Sequence, residues 1–328
     1  MIMPRSARLD APGVLHHVMG RGIEKRKIFL DDQDRVDFIN RLGKLVKEDS
    51  MDIYAWAILS NHFHILCKTK KRPLSSSMRN LLTGYAVNFN RRHRRHGHLF
   101  QNRYKSIVCQ EDAYLVELVR YIHLNLLRAG VVKDLRELND CPWSGHLALL
   151  RNIDGREWQN QDYVLSYFGG GRRGRRNYLR FVEEGISLGR RPELVGGGLV
   201  RSLGGWSSVI ALRRRGEKQV SDERILGDGD FVEAMLAESD DIGKENLRIS
   251  KKKLNLWSLA EGVCKEHGVN LKELRSGSRR HGVVEARQEL SRLAVMAHGY
   301  SGAEVARYLG VTNSCITRPL SLGSKKVQ

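Results

Sequence analysis

An α+β fold, in which an antiparallel sheet of ferredoxin-like order carries helices on one face and a mostly α-helical region follows, is predicted by the residue patterning of this 328-residue chain. Three observations lead there. Apolar runs of strand length alternate with amphipathic stretches of helical period up to about residue 150. Two of those runs are separated only by Ser60-Asn61, and from about Asp222 the pattern turns helical.

Val14 to Met19 alternates as a strand and leads into a turn holding Gly20 and Gly22. Asp31 and Asp32 suit a helix N-terminus, and Val36, Ile39, Leu42, Leu45 and Val46 make the apolar stripe of a helix that reaches Lys47. Ile53 to Leu59 and Phe63 to Cys67 follow as two strands, joined by Ser60-Asn61, residues that suit a tight hairpin turn. After Pro73 comes a helix with Met78, Leu81, Leu82, Tyr85 and Phe89 spaced for burial, ending in Arg91-Arg92-His93-Arg94-Arg95. Tyr104 to Gln110 alternates as a strand, and Glu111 to Ala129 is a second long helix stopped by Gly130. The order β-α-β-β-α-β-α is the ferredoxin-like one with a further helix appended.

Pro142-Trp143 to Leu150 closes this first domain, residues 1–150. Gly169 to Gly174 and Gly189 to Gly205 read as linkers or hinges within a Gly/Arg-rich connecting region, residues 151–221. Residues 222–328 form the helical C-terminal module. There Ser301 and Glu304 make a capping box for a helix through Leu309, Gly310 stops it, and Thr312 caps a second short helix that Pro319 ends. Two short helices about a glycine turn suit a helix-turn-helix, with Asn313, Ser314, Thr317 and Arg318 as readers of duplex DNA. An αα-hairpin with no DNA role is the competing reading.

Net charge is +19, from 56 Lys plus Arg against 37 Asp plus Glu, which points to a polyanionic partner. No apolar stretch approaches the length needed to span a bilayer, and Met1 to Arg8 lacks the apolar core of a signal peptide, so no membrane association and a cytoplasmic location are expected. Five scattered cysteines without a C-x-x-C pair argue against a disulfide framework or a cysteine zinc site and are expected to be small buried hydrophobes.

The charge is unevenly placed. From Ile53 to Gln110 there is no Asp or Glu, while Lys68, Lys70, Lys71, Arg72, Arg79, Arg91, Arg92, Arg94, Arg95, Arg103 and Lys105 all lie there. Such a stretch suggests a phosphate track. Phe100, Gln101, Asn102 and Tyr104 interleave with the cations, as expected where exposed bases stack or hydrogen-bond; for Phe100 and Tyr104 a core position is the equal alternative. The candidate DNA contacts are Arg21, Lys68, Arg91, Arg92, Arg94, Arg95, Gln101, Arg103, Tyr104 and Lys105.

Within the same stretch sits His62-Phe63-His64. On a strand, residues i and i+2 share a face, so two imidazoles aim at one point while Phe63 faces away. On a helix, i and i+4 share a face, which brings the phenol of Tyr121 beside the amide of Asn125. Two histidines and a side-chain oxygen can bind a divalent ion and leave positions open for substrate oxygens. A phenol with a pKa of about 10 needs a nearby cation or base to attack a phosphate. In-line attack by Tyr121 would leave a phosphotyrosine link and a free hydroxyl, conserving the bond energy for rejoining. Tyr114, two helical turns before Tyr121, is the rival nucleophile. His93, His96 and His98 suggest a phosphate-contacting loop rather than a zinc cluster. His123 points elsewhere on its helix, and His17 sits on a neighbouring strand as a candidate for the outer shell.

His17-Val18-Met19-Gly20-Arg21-Gly22, Ser60-Asn61-His62-Phe63-His64-Ile65-Leu66, Gly97-His98-Leu99-Phe100-Gln101-Asn102-Arg103-Tyr104-Lys105-Ser106 and Tyr121-Ile122-His123-Leu124-Asn125 resemble, in order, the motifs of the single-tyrosine HUH transposases. This IS200-like family includes a REP-associated tyrosine transposase branch, and Pro142-Trp143-Ser144 resembles the end of that domain. The resemblance implies an HUH fold for residues 1–150, His62, His64 and Asn125 as ligands of Mg²⁺ or Mn²⁺, and Tyr121 as the nucleophile that forms a 5′-phosphotyrosine. Better-known members more often have a glutamine at the spacing where Asn125 stands, and many relatives follow their asparagine with proline where this chain has Leu126. It further implies single-stranded DNA with hairpin repeats as partner, a monomer or homodimer, and a place at the bacterial nucleoid, while duplex DNA as a second partner follows from the helix-turn-helix reading of the C-terminal module. Val263 to Arg318, with Arg279-Arg280, loosely resembles the DNA-binding domain of bacterial replication initiators. Two other functions stay open: a domesticated, non-catalytic repeat-binding regulator, and metal-dependent hydrolysis with water as the nucleophile.

Overall fold

A computed structural model describes residues 9, 13–70, 72–151, 153–189, 191–198, 202, 220–239, 255–297, 300, 302–312 and 315–316. Two compact units are present, Met1–Ser239 and Asp240–Gln328.

In the first unit the elements run β1 (Leu15–Arg21), α1 (Asp32–Lys47), β2 (Met51–Ile58), β3 (His62–Thr69), α2 (Leu74–Arg92), β4 (Lys105–Cys109) and α3 (Glu111–Arg128). This is the expected order. Asp31 caps α1, its side chain accepting from the Asp34 amide, and Lys44 and Lys47 complement the other end of the helix dipole. At the end of α3, Gly130 adopts a left-handed φ of 68° and donates to the Leu127 carbonyl at 3.0 Å, closing carbonyls that the helix leaves open.

The sheet order is β2-β3-β1-β4-β5, where β5 is the two-residue strand Ile225–Leu226. Pairings among β1 to β4 are antiparallel, and β5 joins β4 in parallel. Strand alternation divides the core. Val18, Trp56, Phe63, Ile65 and Cys67 turn toward α1 and α2, meeting Phe38, Leu42, Leu81 and Tyr85. Leu15, Ala55, Ala57, Leu66 and Ile107 turn the other way, under Leu115, Leu118, Val119 and Ile122 of the appended helix α3. Thus the two ferredoxin-like helices share one face and α3 covers the opposite one. Gly20 is required at its place: a Cβ there would lie 2.4 Å from the Phe63 ring, so β1 can pass over Phe63 only as glycine.

Beyond α3 come α4 (Leu135–Asp140), α5 (His146–Leu150), α6 (Gln161–Ser166) and α7 (Gly171–Glu184). The glycine run Gly169 to Gly174, expected as a hinge, is in part helical: α7 starts inside it and is anchored by the buried Tyr178 and Val182. Gln159 fastens this segment to β2, accepting from Trp56 Nε1 at 3.0 Å and donating to the Tyr54 carbonyl at 3.1 Å. A polar chain joins α3, α4, α5 and α7. Asn139 Oδ1 accepts from His146 Nε2 at 2.9 Å, which leaves His146 Nδ1 to accept from the Tyr178 hydroxyl at 2.6 Å; that oxygen in turn accepts from His123 Nδ1 at 2.7 Å.

The second unit packs Leu256–His267, Leu271–Arg275, His281–Arg292 and Gly302–Leu309 around Ala260, Val263, Leu274, Val283, Leu290, Val305 and Leu309. Asn270 caps the second of these helices and Gly268, at φ 61°, ends the first. Ser301, Asn313, Ser314, Thr317 and Arg318 lie outside the described residues. Four cysteines are buried as expected and Cys315 is exposed, at a short helical segment on the rim of this unit. No helix among the described residues is long and apolar enough to cross a membrane.

Burial holds His123 well below its ordinary pKa and pushes His146 down to about 4. Both are therefore neutral when folded, and the unfolded chain takes up their protons first. Stability contributed by these groups is complete above about pH 6.5 and declines as pH falls toward 4. Urea unfolding at pH 7, 5.5 and 4.5 should give a falling midpoint; a midpoint unchanged over that range would mean the two imidazoles are not held neutral. Tyr178→Phe strands His146 Nδ1 and His123 Nδ1 and should cost about 2 kcal/mol at pH 7.

Candidate active site

β1, β3 and α3 bring the site together. In the antiparallel pairing of β1 with β3, Met19 lies opposite His64 and Arg21 opposite His62. Because Phe63 is anchored among the α1 and α2 side chains, His62 and His64 must face α3. Their ring centroids are 5.3 Å apart, and the Tyr121 ring stands edge-on to His64 at 6.0 Å. One cavity of about 860 Å³ is lined by His62, His64 and Tyr121 together with Arg21, Lys25, Asn61, Gln101, Asn102, Arg103 and Lys105. A second, of about 420 Å³, lies at Tyr121 and His62 too and is lined by Asn125, Arg128 and Arg191.

Hydrogen bonding sets the imidazole tautomers. The Leu194 carbonyl accepts from His17 Nδ1 at 3.2 Å, so His17 Nε2 carries a lone pair. That lone pair faces His64 Nδ1 at 3.0 Å and can only accept, which makes His64 protonated at Nδ1 and leaves His64 Nε2 with a lone pair. His62 is fixed likewise: its Nδ1 lies 2.7 Å from Asn61 Oδ1, an acceptor, and Nε2 is again the free base. Burial lowers the pKa of all three, that of His17 to about 4, and the neighbouring histidines lower His64 further. Neutral imidazoles whose Nδ1 protons are held by outer partners are the usual form of metal-binding histidine. Two such ring nitrogens fit a divalent ion, and Asn125 lines the smaller cavity that His62 also borders.

Tyr121 is partly buried, and burial raises its pKa, while Asn125 and the Arg128 guanidinium pull it back down. Arg128 lies over the Tyr121 ring, 5.5 Å from its centroid. Tyr114 is otherwise engaged, donating to the Ser202 carbonyl at 3.0 Å, and lines neither cavity.

The expected DNA contacts fall into separate places. Arg21 donates twice to Gln101 Oε1, at 3.0 and 2.7 Å, and with Arg103 and Lys105 this pair borders the larger cavity; Lys105 Nζ also donates to the Val195 carbonyl at 2.9 Å. Arg91 and Arg94 are exposed, and Arg95 lies over Phe89 at 5.8 Å. Lys68 sits at the far end of β3, paired with Glu111. Arg92 turns inward onto Asp31 and Asp34, and Tyr104 is buried in the α1/α2 core. The acid-free stretch is thus partly neutralised by acids outside it. Among the described residues Arg79, Arg91, Arg94, Arg95 and Arg103 have no acidic partner.

His93 is not grouped with His96 and His98. It faces Asp34 at 2.9 Å, so that Asp31, Asp34 and His93 could together hold a metal by distance alone. The Arg92 guanidinium already fills that position, bonding both aspartates and pushing Asp31 down to about 2. This is a tie between the start of α1 and the end of α2.

Residues that the sequence patterning passed over are Arg128, Arg191 and Leu194. Arg128 had a signal, since it stands seven residues, two helical turns, after Tyr121. The other two come from the 3₁₀ turn Pro192–Val195 and its preceding residue, far away in sequence, and had none.

Residues 13–125 match the family described as IS200-like transposases. No curated protein matches the chain. Among solved structures, that of a REP-associated tyrosine transposase bound to a REP hairpin aligns with a TM-score of 0.37 and 21% identity, over 48% of this chain and 92% of the other.

The tautomers are directly testable by ¹⁵N NMR of the imidazoles in chelator at pH 7.5. His62 and His64 should both be protonated at Nδ1 and bare at Nε2; an Nε2–H signal for either would remove it from the ligand set.

Proposed function

We propose, on the premise that residues 13–125 belong to the IS200-like transposase family, that the protein is a DNA strand transferase. It cuts and rejoins single-stranded DNA beside hairpin repeats through a 5′-phosphotyrosine at Tyr121, with Mg²⁺ or Mn²⁺ as cofactor. One observation carries the reading: a phenol borders the same cavity as two imidazoles whose Nε2 lone pairs are free, with Arg21, Arg103 and Lys105 on the rim.

His62 and His64, with the Asn125 amide oxygen, would hold the ion. Bound there, it would polarise the scissile phosphate and neutralise charge that develops on its oxygens. Tyr121 Oη attacks phosphorus as its proton passes to water in the open cavity. The P–Oη bond forms and the P–O3′ bond breaks, and the departing 3′ oxygen takes up a proton. Rejoining is the reverse, with a 3′-hydroxyl attacking the phosphotyrosine. Arg128 and Asn125 favour the phenolate, opposing the burial that disfavours it.

The strand beyond the reacting phosphate would run along Arg79, Arg91, Arg94, Arg95 and Arg103, the cations of this face without acidic partners among the described residues. The C-terminal helices would bind duplex DNA. By the resemblance of its four motifs, the chain would fall in the REP-associated branch.

Mixing the full-length protein with labelled single-stranded repeat DNA and Mn²⁺ should give an adduct that survives denaturant. Tyr121→Phe should abolish it, by a factor on the order of 10³ or more. Tyr114→Phe should leave it intact, and chelator should prevent it. An equal adduct from Tyr121→Phe would sink the assignment, and cleavage without an adduct that persists in Tyr121→Phe would point to water as the nucleophile. Affinity for single-stranded DNA should fall with salt, and Arg94→Gln with Arg95→Gln should reduce the slope of log K against log salt by about 1.4, roughly 0.7 for each phosphate no longer neutralised. An unchanged slope would place the strand elsewhere.

A further inference from the structure

On α3, Tyr121, Asn125 and Arg128 stand at positions i, i+4 and i+7 and so share one face. All three line the smaller cavity of about 420 Å³, which His62 also borders. Among the described residues Arg128 Nη1 is buried with no hydrogen-bond partner, and Asn125 Nδ2 is buried with none of good geometry, lying only near enough to the Tyr121 oxygen to favour its phenolate. An unpaired buried donor costs free energy, and a charged one costs more, so two on one wall of one cavity call for an acceptor that the described residues do not supply.

The surrounding charges do not supply it. Arg120 is paired with Glu117, and Arg191 with Glu193 and Glu117. Among the described residues, Arg128 donates from Nη2 to the Gly185 carbonyl, a long bond at 3.4 Å. A cation placed among compensated neighbours, with its free N–H buried at the cavity wall, is an anion receptor. Guanidinium and amide donors together suit an oxyanion of phosphate, whose non-bridging oxygens accept several bonds at once.

We infer that this cavity is an oxyanion subsite, in which Asn125 Nδ2 and Arg128 Nη1 bind non-bridging oxygens of the phosphate that reacts at Tyr121. The inference rests on the strand-transfer reading for the identity of the phosphate and not for the existence of the site. It gives Asn125 two functions on one side chain: the amide oxygen remains for a metal ion while the amide nitrogen holds the phosphate. Arg128 becomes a catalytic residue, because it touches the reacting group and stays with it in the covalent intermediate.

The test uses the full-length protein, excess chelator and inorganic phosphate as probe, read by the side-chain ¹⁵N–¹H signals of Asn125 and Arg128. Saturable shifts of both signals are expected. Arg128→Gln should weaken phosphate binding by at least about tenfold, the range for losing a hydrogen bond to a charged group. Arg128→Lys should keep more affinity than the glutamine variant. Should Arg128→Gln lose its fold, Asn125→Leu removes the other donor at similar volume and should weaken binding in the same direction. Shifts that do not saturate, or affinity unchanged in Arg128→Gln or Asn125→Leu, would overturn the subsite. If phosphate binds as described but no covalent adduct ever forms, strand transfer fails and the subsite stands; an adduct with full phosphate affinity in Arg128→Gln reverses that outcome.

Discussion

Phe63 governs the geometry of the site although it takes no part in it. Its ring is fully buried between Phe38 and Gly20 of β1, and a strand has only two faces. Placing Phe63 toward α1 and α2 obliges His62 and His64 to face α3; a slip of one residue would send both imidazoles into the apolar core. The tight approach of β1, which glycine at position 20 permits, then brings His17 to hydrogen-bonding distance of His64. Packing on one side of the sheet thereby sets the chemistry on the other.

That chemistry depends on neutrality. In a chain of net charge +19, imidazoles near Arg21 and Lys105 would be disfavoured as cations even without burial, and both effects act in the same direction here. The outcome is a set of bare ring nitrogens inside a cationic rim, basic toward a metal ion and attractive toward phosphate at once. Lysine and arginine at the rim carry the positive charge, while the histidines remain uncharged bases.

Much of this was legible from residue patterning. The seven-element order followed from amphipathic periods, and the His62/His64 pair from simple alternation, because both depend only on neighbours in sequence. The direction of charged side chains did not. Arg92 sits in a run of cations that reads as solvent-facing, yet it turns onto Asp31 and Asp34, residues some sixty positions earlier that the fold places beside it. Tyr104 reads equally as a stacking platform or as core, and burial settles it as core. The glycines at 169 to 171 read as a hinge, because glycine composition conceals the Tyr178 and Val182 anchors that hold α7 in place. The orphaned donors of α3 are beyond any sequence pattern, since an absent partner is visible only in three dimensions.

The bond from His17 to the Leu194 carbonyl has an implication for modularity. The tautomer of His64 is settled by a carbonyl 177 residues after His17, which accepts the His17 Nδ1 proton and so leaves His17 Nε2 to accept from His64, and Val195 next to that carbonyl holds Lys105. A piece of the chain ending near residue 150 would keep every motif and lose the carbonyl that orients one of its key bases, along with the Tyr178 hydroxyl between His123 and His146. The portable unit, the length that could be grafted onto a different domain with these contacts intact, therefore extends at least through Val195.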